Sequence, residues 1–235
     1  MKKLIVLTGA GISAESGIKT FRDSDGLWMG YNIEDVATPR AFHKDPHRVL
    51  EFYNMRRREV SSAKPNAAHI AIADFQSEYE ITIITQNIDD LHERAGSKNV
   101  LHLHGEIFKM CSFGDTTTTY HISGDMMPGA KADDDTFLRP AIVWFEEEVP
   151  MMPVAAKLMG EADVFMLIGT SLQVYPAAGL IEFLKYPVPK FIIDKKIPPI
   201  HHLPNVIIIE KPATEGVPEA IRILRKEHKG GSQEG

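Results

Sequence analysis

Short runs of apolar residues, each followed by a turn of small or polar residues, alternate along this chain with segments of helical periodicity. Runs of four to eight apolar residues that end in a turn are typical of buried parallel strands. We predict such strands at Leu4 to Leu7, Ile81 to Thr85, Leu101 to His104, Val164 to Ile168, Lys190 to Asp194 and Val206 to Ile209. Strands that alternate with helices predict an α/β fold with a doubly wound parallel sheet, whose ligands bind beyond the carboxyl ends of the strands.

Capping residues and prolines predict where several helices begin. Thr38 precedes Pro39 and Asp45 precedes Pro46, and each pair places a side-chain acceptor before a proline that suits the first helical position. Three- and four-residue spacing puts four residues on one face of the second of these helices: Val49, Phe52, Tyr53 and Arg56. Further helices are predicted after Pro65 and at Val154 to Gly160, Ala177 to Leu184 and Pro218 to Glu227.

The turn after the first strand is a candidate phosphate site. Thr8 to Gly11 is a run of small residues, and Ile12 to Ser16 can open a helix behind it. Backbone N–H groups at a helix N-terminus attract phosphate, and glycines let a phosphate approach the backbone. The pattern Gly9-x-Gly11-x-x-Ala14 fits the dinucleotide fingerprint, which is a weak signal by itself. A strand, turn and helix without a ligand remains the alternative.

The segment after this turn departs from an ordinary dinucleotide fold. Ser16 to Ile18 breaks the helix early. An ordinary dinucleotide fold continues to a second strand that ends, about twenty positions on, in an acidic residue that binds a ribose. That pattern is missing here. Residues 21–28 instead predict a loop that carries Phe21, Arg22 and Trp28 over a nucleotide. An ordinary dehydrogenase is therefore disfavoured.

Length, charge and cysteine content narrow the classes of protein. The 235 residues suffice for one main domain with a smaller module. The net charge is −6 and no basic cluster exceeds Arg56 to Arg58, so nucleic acid is not expected as a ligand. Cys111 is the only cysteine, which excludes an internal disulfide and suits a reducing compartment. The first apolar run is too short for a signal peptide and no run approaches a membrane span, so we expect a cytoplasmic protein.

Several ordered motifs carry a family resemblance. GAGISAESGIKTFRDSDGLW closely resembles the signature of the sirtuins, the NAD-dependent protein lysine deacylases. Thr85 to Asp89, His104 to Glu106 and Gly169 to Ser171 resemble the other core motifs of that family in the same order. The resemblance runs from about Lys3 to about Leu224. It implies a Rossmann-like sheet with an inserted smaller module, NAD as cofactor, and acyl-lysine proteins or peptides as substrates.

The resemblance implies that His104 is the catalytic base. In the mechanism that the resemblance implies, the acyl oxygen attacks C1′ of the nicotinamide ribose and nicotinamide leaves. A ribose hydroxyl, which His104 helps to deprotonate, then attacks the resulting imidate carbon, and water gives free lysine and O-acyl-ADP-ribose. From the residues alone, a structural histidine at a strand end is favoured over a base near neutral pH. A metal held by His102 and His104 would lack further evident ligands.

The resemblance also implies the residues that bind NAD. They are Gly9, Ala10, Gly11, Phe21, Arg22, Trp28, Gln86, Asn87, Ile88, Asp89, Gly169, Thr170, Ser171, Asp194 and Ala213. Asp194 stands where the family usually has Asn, and Asp accepts from ribose hydroxyls but cannot donate to them. Since Asn and Asp also favour turns, loop capping is the alternative role of Asn87 and Asp89.

Two segments resemble substrate-binding elements. Val143 and Phe145 lie in a segment that resembles the loop to which the acyl-lysine peptide adds as a strand, although a core strand has the same pattern. Glu146 stands where the family usually has Gly; if that Gly has positive φ, we expect a different loop here.

The pair Tyr53 and Arg56 resembles the Tyr-x-x-Arg pair of class III sirtuins, which recognises succinyl- and malonyl-lysine. Arg can bind a carboxylate through two hydrogen bonds and Tyr can add a third. Three adjacent arginines can also be a solvated face, and we assign only Arg57 and Arg58 to solvent.

The main departure from the family concerns zinc. Most sirtuins carry two Cys-x-x-Cys pairs, but Cys111 has no partner cysteine, and His121, Asp125 and Asp133 to Asp135 are irregularly spaced as substitutes. We predict no metal site. We expect a nucleotide-binding domain at 1–30, 65–108 and 140–228, a helical part of a small domain at 31–64, a small module at 109–139 and a disordered tail at 229–235.

These features predict an NAD-dependent deacylase that prefers succinyl or malonyl groups and retains some deacetylase activity. Mono-ADP-ribosyl transfer or NAD hydrolysis at the same site would not need Tyr53 and Arg56. A non-catalytic module that binds NAD or ADP-ribose would not need His104. The oligomeric state is not predicted.

Overall fold

Two sheets organise the chain. The computed structural model describes residues 1–20, 30–198, 200 and 203–230, the last four of these through their backbone only. Its strands are β1 (Lys3–Thr8), β2 (Glu80–Thr85), β3 (Val100–His102), β4 (Gly105–Ser112), β5 (Thr119–His121), β6 (Leu138–Ile142), β7 (Val164–Ile168), β8 (Lys190–Ile193) and β9 (Val206–Ile209). The larger sheet has the order β3-β2-β1-β7-β8-β9, with every neighbouring pair parallel. The predicted α/β fold with a parallel sheet is confirmed.

Both faces of the larger sheet are buried along its central strands β1 and β7, because these strands are apolar on both sides. The helices are α1 (Ile33–Val36), α2 (Pro39–Lys44), α3 (Pro46–Ser62), α4 (Ala67–Phe75), α5 (Leu91–Arg94), α6 (Met152–Met159) and α7 (Ala213–Gly230). Leu4 and Val6 of β1 belong to a core with residues of α4 and α7, whereas Ile5 and Leu7 belong to a core with residues of α6. This alternation makes the sheet doubly wound.

The predicted helix starts at Pro39 and Pro46 are confirmed. The Thr38 hydroxyl oxygen accepts a hydrogen bond from the Ala41 N–H at 3.1 Å. The Asp45 carboxylate accepts one from the Arg48 N–H at 3.0 Å. Each cap satisfies one of the amide groups that a helix leaves without a partner at its start.

Several predicted elements differ from those observed. The helix expected at 12–16 is a pair of 3₁₀ turns, Ala10–Ile12 and Ala14–Ser16, which end at Gly17 with φ +88°. The segment Ala177–Phe183 is also 3₁₀. The last helix begins at Ala213 rather than Pro218, because the buried side chains of its first turns pack on the sheet. It continues to Gly230, so the first two residues of the predicted disordered tail are helical, and the rest of that tail lies outside the described residues.

The smaller sheet is antiparallel, in the order β5-β4-β6, and packs with α1 to α3 around its own core. β4 follows His104 directly, so the two sheets meet at the strand end that carries this histidine. The predicted division into domains stays a prediction. Within the residues that the structure covers, no helix is both long and apolar enough to cross a membrane.

Candidate active site

The carboxyl ends of the central strands meet at one edge of the larger sheet. Thr8 at the end of β1 is level with Thr85 of β2 and Ile168 of β7, and Thr85 is level with His102 of β3. The loops that follow these strands carry most of the predicted site residues. The sheet register therefore brings segments distant in sequence to a common edge.

Two glycine turns at this edge pack backbone against backbone. The Gly11 N–H donates to the Gly169 carbonyl at 2.8 Å. A Cβ on Gly11 would lie 2.6 Å from the Gly169 Cα atom, and one on Gly9 would lie 2.7 Å from the Thr170 Cβ atom. Gly169 itself has φ +61°. The sequence suggested that these glycines let a phosphate approach the backbone. The structure shows that they also let the two turns pack closely against each other.

A cavity of about 440 Å³ opens beside these turns. It is lined by four residues predicted to bind NAD, namely Gly11, Gly169, Asp194 and Ala213, together with residues such as Lys19 and Lys195. Its volume falls within the range typical of small-molecule sites. Lys195 pairs with Glu15 at 3.4 Å.

Hydrogen bonds tie the loop after β2 to the first glycine turn. The Asn87 amide donates to the Gly9 carbonyl at 3.1 Å and to the Ser13 hydroxyl at 3.2 Å. The Ser13 hydroxyl donates to Asp89 at 3.0 Å. Burial raises the pKa of Asp89, and the hydrogen bonds from the Leu91 N–H and Ser13 oppose this shift. These contacts hold Asn87 and Asp89 at the turn where the nucleotide is expected.

The neighbours of this pair in the loop have their own contacts. The Gln86 amide donates to the Thr170 hydroxyl at 3.1 Å, which joins the loop to the turn after β7. The Ile88 carbonyl accepts from the Ile107 N–H at 2.8 Å, and the Ile88 side chain packs on the core of the small sheet. The loop is thereby anchored to both sheets.

His104 is held in one orientation. Its Nδ1 atom lies 3.0 Å from the Gln86 carbonyl oxygen, which assigns the ring proton to Nδ1 and leaves Nε2 as an acceptor. Burial lowers the pKa of His104, while the Gln86 carbonyl opposes this shift. A neutral imidazole with an accepting Nε2 is the form that a general base requires.

His102 is bound differently from His104. Its Nε2 atom lies 2.8 Å from Glu93, and its Nδ1 atom lies 3.0 Å from the Asn87 carbonyl oxygen. Both ring nitrogens therefore serve the fold. The described part of the chain contains no group of three His, Cys, Asp or Glu side chains that could hold a metal ion.

The segment predicted to hold the peptide lies directly beside His104. The Val143 N–H donates to the His104 carbonyl at 3.0 Å, and the Phe145 N–H donates to the Ala37 carbonyl at 3.0 Å. Val143 is half-buried and Phe145 is exposed. The segment is continuous with β6 but is not itself paired as a strand.

A buried arginine clamps this segment. The Arg139 guanidinium carbon lies 3.4 Å from the centroid of the Trp144 ring. Arg139 donates to the Ile142 carbonyl at 2.8 Å and to Glu147 at 2.9 Å, and Glu147 accepts from the Trp144 N–H at 2.7 Å. Glu146, which directly precedes Glu147 in the chain, has φ +75° and forms an ion pair with Arg40. Glu146 thus adopts a left-handed backbone conformation, which favours glycine.

The three adjacent arginines of α3 have three different environments. Arg56 is 4% exposed and pairs with Glu59 at 2.6 Å. Arg57 is 1% exposed and donates to the Ile107 carbonyl at 2.9 Å and to the Asn54 side chain at 2.8 Å. Arg58 is exposed and pairs with Asp125. The assignment of Arg57 to solvent is wrong, because β4 supplies a backbone acceptor that the helix pattern does not reveal.

Tyr53 lies one turn before Arg56, on the buried face of α3. Its ring is 1% exposed and lies 6.4 Å from the Trp144 ring, measured between centroids. Burial raises the pKa of the Tyr53 hydroxyl, which stays protonated at neutral pH. Burial lowers the pKa of Arg56, while the Glu59 carboxylate opposes that shift. Tyr53 therefore adjoins the predicted peptide segment.

The chain is similar to known proteins over nearly its whole length. The model of the Sir2 family matches residues 9–176. The chain belongs to the Sir2 family. A Bacteroides thetaiotaomicron protein named NAD-dependent protein deacylase is 46% identical over 230 residues, covering 95% of this chain and 98% of that protein. A Helicobacter pylori protein of the same name is 48% identical over 217 residues, covering 92% and 95%.

The fold of this Sir2 protein also matches solved structures of the family. A substituted Sir2 homologue in its ADP-ribose complex superposes with a TM-score of 0.88 at 38% identity, covering 97% of this chain and 94% of that one. Sequence and structure thus agree on the family over nearly the whole chain.

Some residues of this Sir2 protein were missed by sequence reasoning, and some predicted ones lie outside the described structure. Ser13 donates to Asp89, Lys195 lines the cavity, and Glu15 pairs with Lys195. Ser13 and Glu15 stand in the signature segment after the first strand, whereas no sequence pattern indicated Lys195. Phe21, Arg22 and Trp28 lie outside the described residues.

Proposed function

We propose that this Sir2 protein is an NAD-dependent protein-lysine deacylase that releases nicotinamide and O-acyl-ADP-ribose. The names of two relatives that match almost the whole chain support the deacylase activity. The observation that carries the proposal is the position of His104, whose ring is oriented by the Gln86 loop and whose carbonyl binds the peptide segment at Val143. A base, a nucleotide-facing loop and a substrate segment thereby meet at one residue.

The residues present fit NAD. The cavity beside the two glycine turns is lined by Gly11 and Gly169 and extends to Asp194 and Ala213. In our proposal Gly9 to Gly11 and Gly169 to Ser171 bind the diphosphate side, and Asp194 accepts from a ribose hydroxyl. When bound, NAD supplies a glycosidic bond at C1′ whose cleavage activates the acyl group.

In our proposal the chain's own residues orient the bound NAD and accept a proton from one of its ribose hydroxyls. Asn87 and Asp89, held by Ser13 and Gly9, orient the ribose hydroxyls and the nicotinamide carboxamide. His104 accepts a proton at Nε2, and the Gln86 carbonyl stabilises the charge that forms on the ring. Burial of the ring keeps it neutral before the reaction.

We further propose that Tyr53 and Arg56 bind the carboxylate of a succinyl or malonyl group. Both side chains lie on the buried face of α3, and Tyr53 adjoins Trp144 in the segment that would hold the peptide. A buried guanidinium binds a carboxylate more strongly than an exposed one, because water competes less. Acetyl-lysine lacks the carboxylate and is expected as the weaker substrate.

The test compares one peptide carrying either acetyl-lysine or succinyl-lysine, mixed with NAD and the purified protein. Mass spectrometry follows the peptide, the released nicotinamide and O-acyl-ADP-ribose. We expect faster loss of succinyl, a loss of that preference by about tenfold or more in Arg56→Met, and no change in the matched exposed variant Arg58→Met. Nicotinamide release without any change in either peptide would instead indicate ADP-ribosyl transfer or NAD hydrolysis.

We also propose that the small sheet is held without zinc, in a protein of the cytoplasm. Cys111 is the only cysteine of the chain. At the nearby end of the sheet Ser112 contacts Asp134 and lies 2.6 Å from the Thr136 hydroxyl, and the Gly114 N–H donates to Ser112 at 2.9 Å. Metal analysis should find substoichiometric zinc in the purified protein, and a chelator should leave its Tm unchanged; one zinc per chain would contradict this.

A further inference from the structure

We propose that Glu59 determines how strongly this protein prefers acidic acyl groups, because it is the resident counter-ion of Arg56. The inference rests on the proposed function, in which Arg56 binds the acyl carboxylate. It adds Glu59 as a specificity-determining residue, which no part of the sequence pattern singled out.

Glu59 contacts both Arg56 and the backbone of Lys19, a residue beside the cavity proposed for NAD. One oxygen of its carboxylate lies 2.6 Å from Arg56 Nη1, one helical turn earlier in α3. The other oxygen accepts from the Lys19 N–H at 3.3 Å, and Arg56 Nη1 lies 3.5 Å from the Lys19 carbonyl oxygen. Lys19 lines the cavity predicted for the nucleotide. Glu59 thus connects the arginine to the edge of the nucleotide site.

Burial makes this pair electrostatically significant. The Arg56 side chain is 5% exposed and the Glu59 side chain 19%, so the attraction is screened less than in a surface pair. A buried guanidinium is costly without a counter-charge, and Glu59 supplies it before substrate binds. An acetyl group leaves that pair undisturbed because it carries no charge.

An acidic acyl group would compete with Glu59 for the Arg56 guanidinium. Its carboxylate must share the Arg56 guanidinium with Glu59, and two carboxylates close to one cation repel each other. A guanidinium has five N–H donors, so sharing is possible, but part of the attraction is already used. Glu59 therefore lowers the affinity for succinyl and malonyl groups and leaves the affinity for acetyl groups unchanged.

The test removes the charge and keeps the shape. In Glu59→Gln the amide oxygen still accepts from the Lys19 N–H, but the negative charge is lost. We expect the KM for the succinylated peptide to fall about fivefold, with kcat and the acetyl-peptide KM changed less than about twofold. Glu51→Gln removes an exposed charge from the same helix and should change none of these constants. Glu59→Asp keeps the charge and should keep a KM close to that of the unaltered chain.

Two outcomes would overturn the proposal. A succinyl KM that stays constant or rises in Glu59→Gln would show that Glu59 has only a structural role. A thermal melt separates this from misfolding. Should Glu59→Gln not fold, Glu59→Ala also removes the charge, and a succinyl KM no lower than that of the unaltered chain would count against the proposal. If Arg56→Met raises the succinyl KM while Glu59→Gln does not, only this inference fails. If Arg56→Met has no effect, the acyl part of the proposed function fails with it.

Discussion

We call the edge of the larger sheet where we propose that NAD binds the nucleotide edge, and the face of α3 that we propose binds the acyl group the acyl side. These two regions bury polar groups in different ways. Beneath the nucleotide edge the Thr8 hydroxyl donates to Thr85 at 2.8 Å and lies 3.2 Å from His92 Nε2. The His92 ring packs edge-on against His69, with centroids 4.9 Å apart. Burial lowers the pKa of both rings, that of His69 to about 4, so this network is neutral at pH 7.

The acyl side instead buries charged guanidinium groups. Arg56, Arg57 and Arg139 are each at most 4% exposed, and each has a carboxylate, an amide or backbone carbonyls as acceptors. The network of Thr and His side chains carries no charge, so it can hold the backbone turns in place without attracting an ionic ligand. A buried cation also orders its surroundings, but it can in addition attract an anionic ligand. The difference indicates that nucleotide geometry and acyl selectivity can be altered separately.

The largest expected effect is the loss of deacylation in His104→Ala, which distinguishes a residue needed for the reaction from one needed only for acyl selectivity. His104→Ala should lower the deacylation rate on acetyl and succinyl peptides alike, by about 100-fold or more, because it removes the proton acceptor common to both. Arg56→Met should affect the succinyl peptide alone. Single-turnover rates on both peptides check this. A His104→Ala variant that loses only one activity would contradict the assignment of His104 as the common base.

Acid should weaken the neutral network first. Because the pKa of His69 is about 4 when folded and near 6.5 when unfolded, the unfolded chain binds more protons as the pH falls. The stability from a neutral His69 is fully present above pH 6.5 and is lost through pH 4, in total about 3 kcal/mol.

Denaturant unfolding between pH 6.5 and 5, above the range of most carboxylates, should show about 2 kcal/mol of this loss. His69→Gln should flatten the pH dependence, whereas His47→Gln, at an exposed position, should not. Equal slopes for the unaltered chain and His69→Gln would contradict this account.

The packed glycine turns give the next prediction. Gly11→Ala places a Cβ 2.6 Å from the Gly169 backbone, so the two turns must separate. We expect a loss of about 3 kcal/mol in the free energy of unfolding, and weaker NAD binding by calorimetry. Gly124→Ala is the control, because its Cβ would meet nothing within 4 Å. An equal effect of both variants would show that the contact between the turns is unimportant.

The smallest expected effect concerns Arg57 on the acyl side. Arg57→Met removes the Arg57 donor from the Ile107 carbonyl and one of the two donors from the Asn54 side-chain oxygen, and should cost about 2 kcal/mol of stability. Acyl selectivity should not change, because Arg57 points into the small sheet. Arg58→Met should cost less than about 1 kcal/mol, as expected for an exposed pair. Thermal melts with matched acetyl and succinyl assays would reveal any selectivity effect of Arg57.

Much of the fold was accessible from local patterns. Apolar runs such as Val164 to Ile168 and caps such as Thr38 depend on neighbours in sequence, and the strands and helix starts they predicted are present. The same patterns predicted that the glycine turns, the Gln86 loop and His104 lie at one edge, because each follows a strand of a parallel sheet. The roles predicted for these residues came from the resemblance to the sirtuins.

The rest depended on contacts between distant segments. The sequence by itself determined the parallel sheet and the residues at its edge, because periodicity and turn chemistry act over a few positions. Only the tertiary structure decided that Arg57 is buried and Arg58 exposed, that Glu59 pairs with Arg56 beside Lys19, and that Arg40 holds Glu146. The physical reason is that a charged side chain can be buried only where the fold provides an acceptor, and here those acceptors come from other segments or from the next helical turn.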